Sequence, residues 1–230
     1  MTLQAIIFGS IGTLTETSHL QRAAFNAAFA EAGLDWHWDA EGYAAMIADG
    51  QSGGAERIAA YARSRHAQLD AAQVDRLHHR KSAIYQQRMT ADGLPPRPGV
   101  VALLTETRAR GIKLAMASAT SPANIAAMFA ATAPALTAAM FDVVLSGDDA
   151  AHGKPAPDIY LEALCRLGVA AADAVAIEDT RQSLASPQAA GIVTLVTPGA
   201  IAVHQDFGRT PVAPSLAGFG GVAAMQALLA

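Results

Sequence analysis

Little of this sequence is charged. Charged residues make up 16% of its 230 positions against 52% hydrophobic ones, a balance that excludes a disordered chain. Acids and bases nearly cancel, leaving a net charge of −4 and a pI of about 5.9. No basic stripe runs along the chain either, so nucleic acid is excluded as a partner. Cysteine is almost absent. Cys165 stands alone, permits no internal disulfide and suits a reducing cytosol. It falls in the apolar pattern Ile159, Leu161, Leu164, Cys165, Leu167, which predicts a buried helix position. No apolar run reaches the length of a membrane-spanning helix, so no membrane partner is expected. The N-terminus enters an apolar run at once, with no basic leader and no small-residue cleavage site, so a cytoplasmic location without a signal peptide is expected. Internal repeats and low-complexity segments are absent as well.

What is present is a long alternation of apolar runs and helical patterns. The length allows one large domain, or a core with an insertion. Leu3–Phe8 is apolar without alternation, as a parallel strand covered on both faces requires. A Gly9-Ser10-Ile11-Gly12 turn follows, and Thr13 is placed to cap the helix that begins near Ser18. Helical spacing then runs through Leu20, Ala23, Ala24, Ala27 and Ala28 until Gly33. Trp36 and Trp38 are expected in the core of a small helical unit, with helices over Ala40–Ala48, Glu56–Arg65 and Ala71–Met89 and a break at Ser52-Gly53-Gly54. Adjacent His78 and His79 face different directions on a helix and are expected on its exposed surface.

Pro95, Pro96 and Pro98 mark the return to an α/β unit, since three prolines do not fit inside a helix. Strands are predicted at Ile112–Ala117, Phe141–Leu145, Val175–Ile177 and Ile192–Val196, with helices over Gly99–Arg110, from Pro122, Asp158–Leu167, Ser183–Ala190 and Val222–Leu229. Strands alternating with helices imply a Rossmann-like, doubly wound parallel sheet of the α/β class with an inserted all-α cap. The expected domains are a core of residues 1–15 and 92–230 and a cap of residues 16–91.

Four chemistry-bearing segments fall at or just past predicted strand ends: Gly9–Thr13, Ser118, Lys154 and Glu178-Asp179. In a parallel sheet those ends share one edge. A hydroxyl and an ammonium there suit phosphate oxygens, and the carboxylates of Glu178 and Asp179 suit a hard cation. Taken singly, Ser118 reads as a helix cap, Lys154 as a loop charge and the acidic pair as loop.

The order of these segments resembles the haloacid dehalogenase (HAD) phosphatases. Their first motif reads apolar strand, Asp-x-Asp-Gly-Thr-Leu, then helix, and Gly12, Thr13 and Leu14 match it. L-A-M-A-S-A-T-S around Ser118 resembles the second motif and Gly153-Lys154-Pro155-Ala156-Pro157-Asp158 the third. Ile177-Glu178-Asp179-Thr180, followed by Ala189-Ala190-Gly191, resembles the fourth. Arg22–Asp39 and S-G-G-A-E-R-I (Ser52–Ile58) resemble the cap of CbbY-like sugar-phosphate phosphatases, related to phosphoglucomutases. The resemblance covers about residues 3–200. It implies a mobile cap, with hinges after Thr13 and at Pro95–Pro98, and an aspartyl-phosphate mechanism that uses Mg²⁺.

This chain departs from that pattern at the site itself. The family's nucleophilic Asp position holds Gly9 and its acid/base Asp position holds Ile11. In the cap, Gln21 stands where a His is expected and Ala55 where a Lys is expected, while Gly53, Gly54 and Arg57 remain as substrate-side residues. Glycine forms no phosphoenzyme and isoleucine transfers no proton. The expectation is a pocket made less negative and roomier at Gly9. There the backbone N–H groups of Ser10 and Ile11, with Ser118 and Lys154, hold a small phosphorylated molecule or an inorganic anion. Mg²⁺ binding at Glu178 and Asp179 is expected to be weakened. Two rival readings stand beside this one: a working hydrolase with a substitute nucleophile, and a non-catalytic interaction protein.

Overall fold

The computed structural model describes residues 2–9, 11–48 and 53–230. The chain opens with β1 (Ala5–Phe8), whose four residues are all buried. A single helical turn, α1 (Ile11–Leu14), comes next; it spans barely one 3.6-residue period, so no repeating pattern announces it. Then come α2 (Ser18–Glu31), α3 (Ala40–Ala48), α4 (Gly54–Ser64) and α5 (Ala71–Asp92), with no strand among the described residues of that stretch. The remainder alternates: α6 (Val100–Ala109), β2 (Lys113–Ala117), α7 (Pro122–Thr132), β3 (Val143–Leu145), α8 (Asp158–Leu167), β4 (Ala174–Glu178), α9 (Arg181–Ala189), β5 (Val193–Val196) and α10 (Gly221–Ala227).

The strands form one parallel sheet in the order β3-β2-β1-β4-β5. β1 is central, with Phe8 opposite Met116 on one side and Ile177 on the other. The pleat sorts residues by size. One face carries Ile6, Phe8, Leu114, Met116, Val175 and Ile177. The other carries Ala5, Ala115, Ala117, Ala174 and Ala176, with Ile7, and these small side chains let α8 lie close.

α8 turns Ile159, Tyr160, Ala163, Leu164 and Leu167 inward. Its buried stripe runs through Tyr160 and Ala163 rather than through Leu161 and Cys165. Leu161 is 50% exposed and Cys165 is exposed, which corrects the expectation of a buried thiol. Thr13 is likewise not a cap. It is buried inside α1, while the residue before α2 is Thr17.

The helices before Gly93 carry their own aromatic cluster. Phe25 lies 4.5 Å and Phe29 4.9 Å from Trp38 between ring centres, and Phe29 lies 5.4 Å from Trp36. Asn26 clasps the Trp38 backbone from both sides, donating to its carbonyl and accepting from its N–H, each at 2.9 Å. The lower ends of α2 and α5 join a different cluster. Leu20, Ala24, Ile84, Tyr85 and Met89 pack with the residues of the sheet's large face.

Arg97 fastens the segment that leads back from the cap to the site edge. Its guanidinium donates to the carbonyls of Gly12 at 2.9 Å, Thr197 at 2.8 Å and Pro198 at 2.7 Å. Gly99 follows in a left-handed conformation, φ +87°, and a Cβ there would stand 2.2 Å from the Ala217 backbone nitrogen. Both conditions call for glycine. Gly99→Ala is expected to destabilise the chain by about 2 kcal/mol or more, read as a lower urea midpoint at unchanged m-value.

Candidate functional site

Three of the five strands end at residues of interest on the carboxyl edge of the sheet. Gly9 follows β1, Ser118 follows β2, Glu178 ends β4 and Asp179 follows it. This edge and the helical cap face each other across a cleft of about 390 Å³, within the range of small-molecule sites. Gly9, Ile11, Ser118, Lys154 and Asp179 lie on the sheet-side wall, and Gln21, Gly53, Gly54 and Arg57 on the cap side. Ser10 and Ser52 lie outside the described residues.

Glu178 is not on the cleft wall. It is fully buried, and its Oε1 accepts from Lys154 Nζ at 2.7 Å and from the Tyr160 hydroxyl at 2.6 Å. Its Oε2 has no hydrogen-bond partner among the described residues. Lys154 also donates to the Gly9 carbonyl and stands 4.9 Å from the centre of the Tyr160 ring. Burial, and then the Glu178 charge, push the Tyr160 phenol well above its usual range, so it stays a protonated donor.

This cluster fills the space that a side chain at position 9 would take. A Cβ on Gly9 would stand 2.1 Å from the Tyr160 hydroxyl and 2.2 Å from the Glu178 carboxylate. The expectation of a roomier pocket at Gly9 is therefore corrected, because neighbouring side chains occupy the volume. Ile11 is 6% exposed and packs in the main apolar cluster with Leu14.

For Mg²⁺ the side-chain donor set is reduced to Asp179 on the motif loop. That ion takes oxygen ligands in a near-octahedral shell. Glu178 is turned inward onto a lysine, and Asp179 is left as the carboxylate of this loop that faces the cleft, its Oδ1 accepting from Ser183 Oγ at 3.3 Å. Among the described residues, no group of three His, Cys, Asp or Glu side chains is placed to hold a metal ion. Glu16 also lines the cleft, but its two oxygens accept from Ser18 N at 2.9 Å and Ala200 N at 2.7 Å.

Ser118 is not the cap of α7. That role belongs to Ser121, whose Oγ accepts from Asn124 N, with Pro122 in the first turn. Ser118 instead begins a chain of polar contacts. Its Oγ accepts from Thr120 N at 3.4 Å, and Thr120 Oγ1 accepts from Asn124 Nδ2 at 2.8 Å. Asn124 Oδ1 accepts from Gln86 Nε2 of α5 at 2.9 Å, so the series crosses from sheet to cap.

Lys81, a residue with no counterpart among the sequence-derived candidates, lies on the cap wall. It is 4% exposed and donates to Gln21 Oε1. Its signal in the sequence is position: it interrupts the buried stripe Val74, Leu77, Ile84, Tyr85 at helical spacing. Burial, then the nearby Arg57 charge, bring its pKa down to about 7. His78 stands half-buried on the same wall, which corrects its expected exposure; His79 is exposed. Burial, and then the Lys81 charge, lower the His78 pKa.

Two expectations follow. Gly9→Ala lowers stability by about 1–3 kcal/mol through overpacking. Adding Tyr160→Phe, which removes the closest contact, recovers part of that loss in a double-mutant cycle of chemical denaturation. For Lys81 the sign is set by its depressed pKa. Between about 7 and the ordinary lysine value of 10.5 the unfolded chain holds the extra proton, so stability rises with pH across that window. Lys81→Met raises the melting temperature at pH 7, and its advantage shrinks toward the upper end of the window.

Comparison with known proteins identifies the family. Residues 3–191 match the haloacid dehalogenase-like hydrolase family. The chain is 43% identical to the plasmid-encoded protein CbbY of Cupriavidus necator over 223 residues, covering 93% of this chain and 86% of that protein. It is 39% identical to protein CbbY of Rhodobacter capsulatus, with 90% of each covered. Among solved structures, a mutant CbbY from Rhodobacter sphaeroides in complex with xylulose-(1,5)bisphosphate superposes with a TM-score of 0.90 at 36% identity, covering 98% of this chain and 100% of that one. The same protein in complex with phosphate gives a TM-score of 0.89. A β-phosphoglucomutase from Clostridium difficile, 17% identical with a TM-score of 0.80, shares the fold. The chain thus belongs to the haloacid dehalogenase-like hydrolase family, in its CbbY-like subgroup.

Proposed function

We propose that this chain binds a phosphorylated sugar in the cleft and does not hydrolyse it through an aspartyl-phosphate. The observation that carries this reading is the filled space at Gly9. The space that the first carbon of a side chain at position 9 would enter holds the Tyr160 hydroxyl and the Glu178 carboxylate, both buried and bound to each other. Losing a nucleophile commonly costs on the order of a million-fold in turnover. Ile11 adds the loss of the proton-transfer group.

Binding is supported by hydrogen-bond donors at both ends of the cleft, with Arg57 as the charged group at the cap end. Lys154 and Ser118 stand at the sheet end of the cleft, and Arg57, Lys81 and His78 at the cap end. Two separated polar ends suit a ligand with a phosphate at each terminus, the kind of molecule bound by the Rhodobacter relative. Asp179 alone holds a divalent cation weakly, so the binding proposed here does not depend on Mg²⁺.

The test is calorimetric titration with xylulose 1,5-bisphosphate in EDTA and again in Mg²⁺, alongside a phosphate-release assay. The expected result is equal affinity in both buffers and no release. Arg57→Ala is expected to weaken the bisphosphate by about tenfold or more. Robust phosphate release by the unmodified chain, or binding that strictly needs Mg²⁺, sinks the reading.

A further inference from the structure

The amine on the cap wall has chemistry beyond charge. The sequence holds three lysines against thirteen arginines. Lys113 gives its ammonium to the Leu167 carbonyl, and Lys154 is committed to Glu178. Lys81 is different. It faces the cleft, and no carboxylate among the described residues pairs with it. Its Nζ stands 4.6 Å from the ring centre of Phe25 and 4.9 Å from that of Tyr85, and it donates to Gln21 Oε1. The charged and titratable groups around it are Arg57 of α4 and His78 and Tyr85 of α5. None of them adds a negative charge at neutral pH. With a pKa of about 7, a large share of the molecules carry the free amine there. A buried lysine in this condition is a nucleophile toward carbonyl carbon.

We propose that Lys81 captures an open-chain phosphorylated ketose in the cleft as a reversible imine. This rests on the phosphorylated-sugar reading above. A five-carbon 2-ketose esterified at both terminal oxygens has no hydroxyl placed to close a five- or six-membered ring, so its C2 carbonyl stays open. The Nζ lone pair adds to that carbon as the C=O π bond breaks, and the oxygen takes a proton. Nζ loses one proton to water, giving a carbinolamine; its hydroxyl takes a proton and departs as water as C=N forms, and the resulting iminium gives its remaining N–H proton to water. Amine and ketone give imine and water, with nothing oxidised or reduced. Gln21 is the positioning residue, its Oε1 accepting one N–H and fixing where Nζ stands.

The full chain is incubated with xylulose 1,5-bisphosphate and reduced with sodium borohydride, and the adduct is located by peptide mass mapping. With three lysines and the amino terminus as the amines present, the map is unambiguous. The expected adduct lies on Lys81, is lost in Lys81→Arg and is suppressed in the unmodified chain by excess xylitol 1,5-bisphosphate, which has no carbonyl. The protection arm needs no variant, so a Lys81→Arg chain that fails to fold leaves the proposal testable. Calorimetric binding of the ketose with no adduct on Lys81 overturns the proposal and leaves the binding reading standing. Labelling spread evenly over Lys81, Lys113, Lys154 and the amino terminus also overturns it. Absence of both binding and adduct removes the two readings together.

Discussion

The ion pair between Lys154 and Glu178 is the contact on which this site depends. Both side chains are under 10% exposed, and a buried charge survives only when paired and hydrogen-bonded. Lys154 comes from the loop before α8, Glu178 from the end of β4, and the carbonyl that Lys154 also grips closes β1. One ammonium thus ties the central strand to its neighbour at the edge where the cleft begins. Removing either partner strands a charge inside the protein, at a cost of about 3–5 kcal/mol. A lysine that serves the fold in this way presents less of its charge to a ligand than a free one, which shifts the cationic character of the cleft toward the cap.

Much of this architecture could be read from the residues. Leu3–Phe8 announces the central strand because an unbroken apolar run has no exposed face to alternate with. Pro122 marks a helix start through chemistry that acts within a few residues, and Gly33 marks an end. What escaped detection is tertiary. α8 shows apolar side chains on more than one face, and only packing against the alanine face of the sheet decides that Tyr160 goes in and Cys165 stays out. His78 is half-buried because the cap wall covers it, which helical spacing alone does not say.

The site followed the same division. The motifs place Gly9, Ser118, Lys154 and Asp179 along one edge, and strand order then brings them together. Nothing local predicts that Tyr160, two residues past the third motif and in α8, reaches under Gly9. That contact depends on the absence of a side chain far away in sequence. Lys81 left a weak trace, a cation on an apolar stripe, whose meaning needs the rings of Phe25 and Tyr85 to be seen. The aromatic cluster of the helical half therefore does more than stabilise it. Through Phe25 it forms both the interior of that half and the floor beneath a cleft residue.

The occupied volume at Gly9 has a consequence for substitution. An aspartate regained there by a single change would arrive against a phenol and a carboxylate already bound to each other in the same place. Its twin at position 11 would replace a side chain embedded in the main apolar cluster. A side chain added at position 9 therefore asks the Tyr160–Glu178 pair to move, and one changed at position 11 asks the apolar cluster to repack, so the two positions are coupled to different halves of the core.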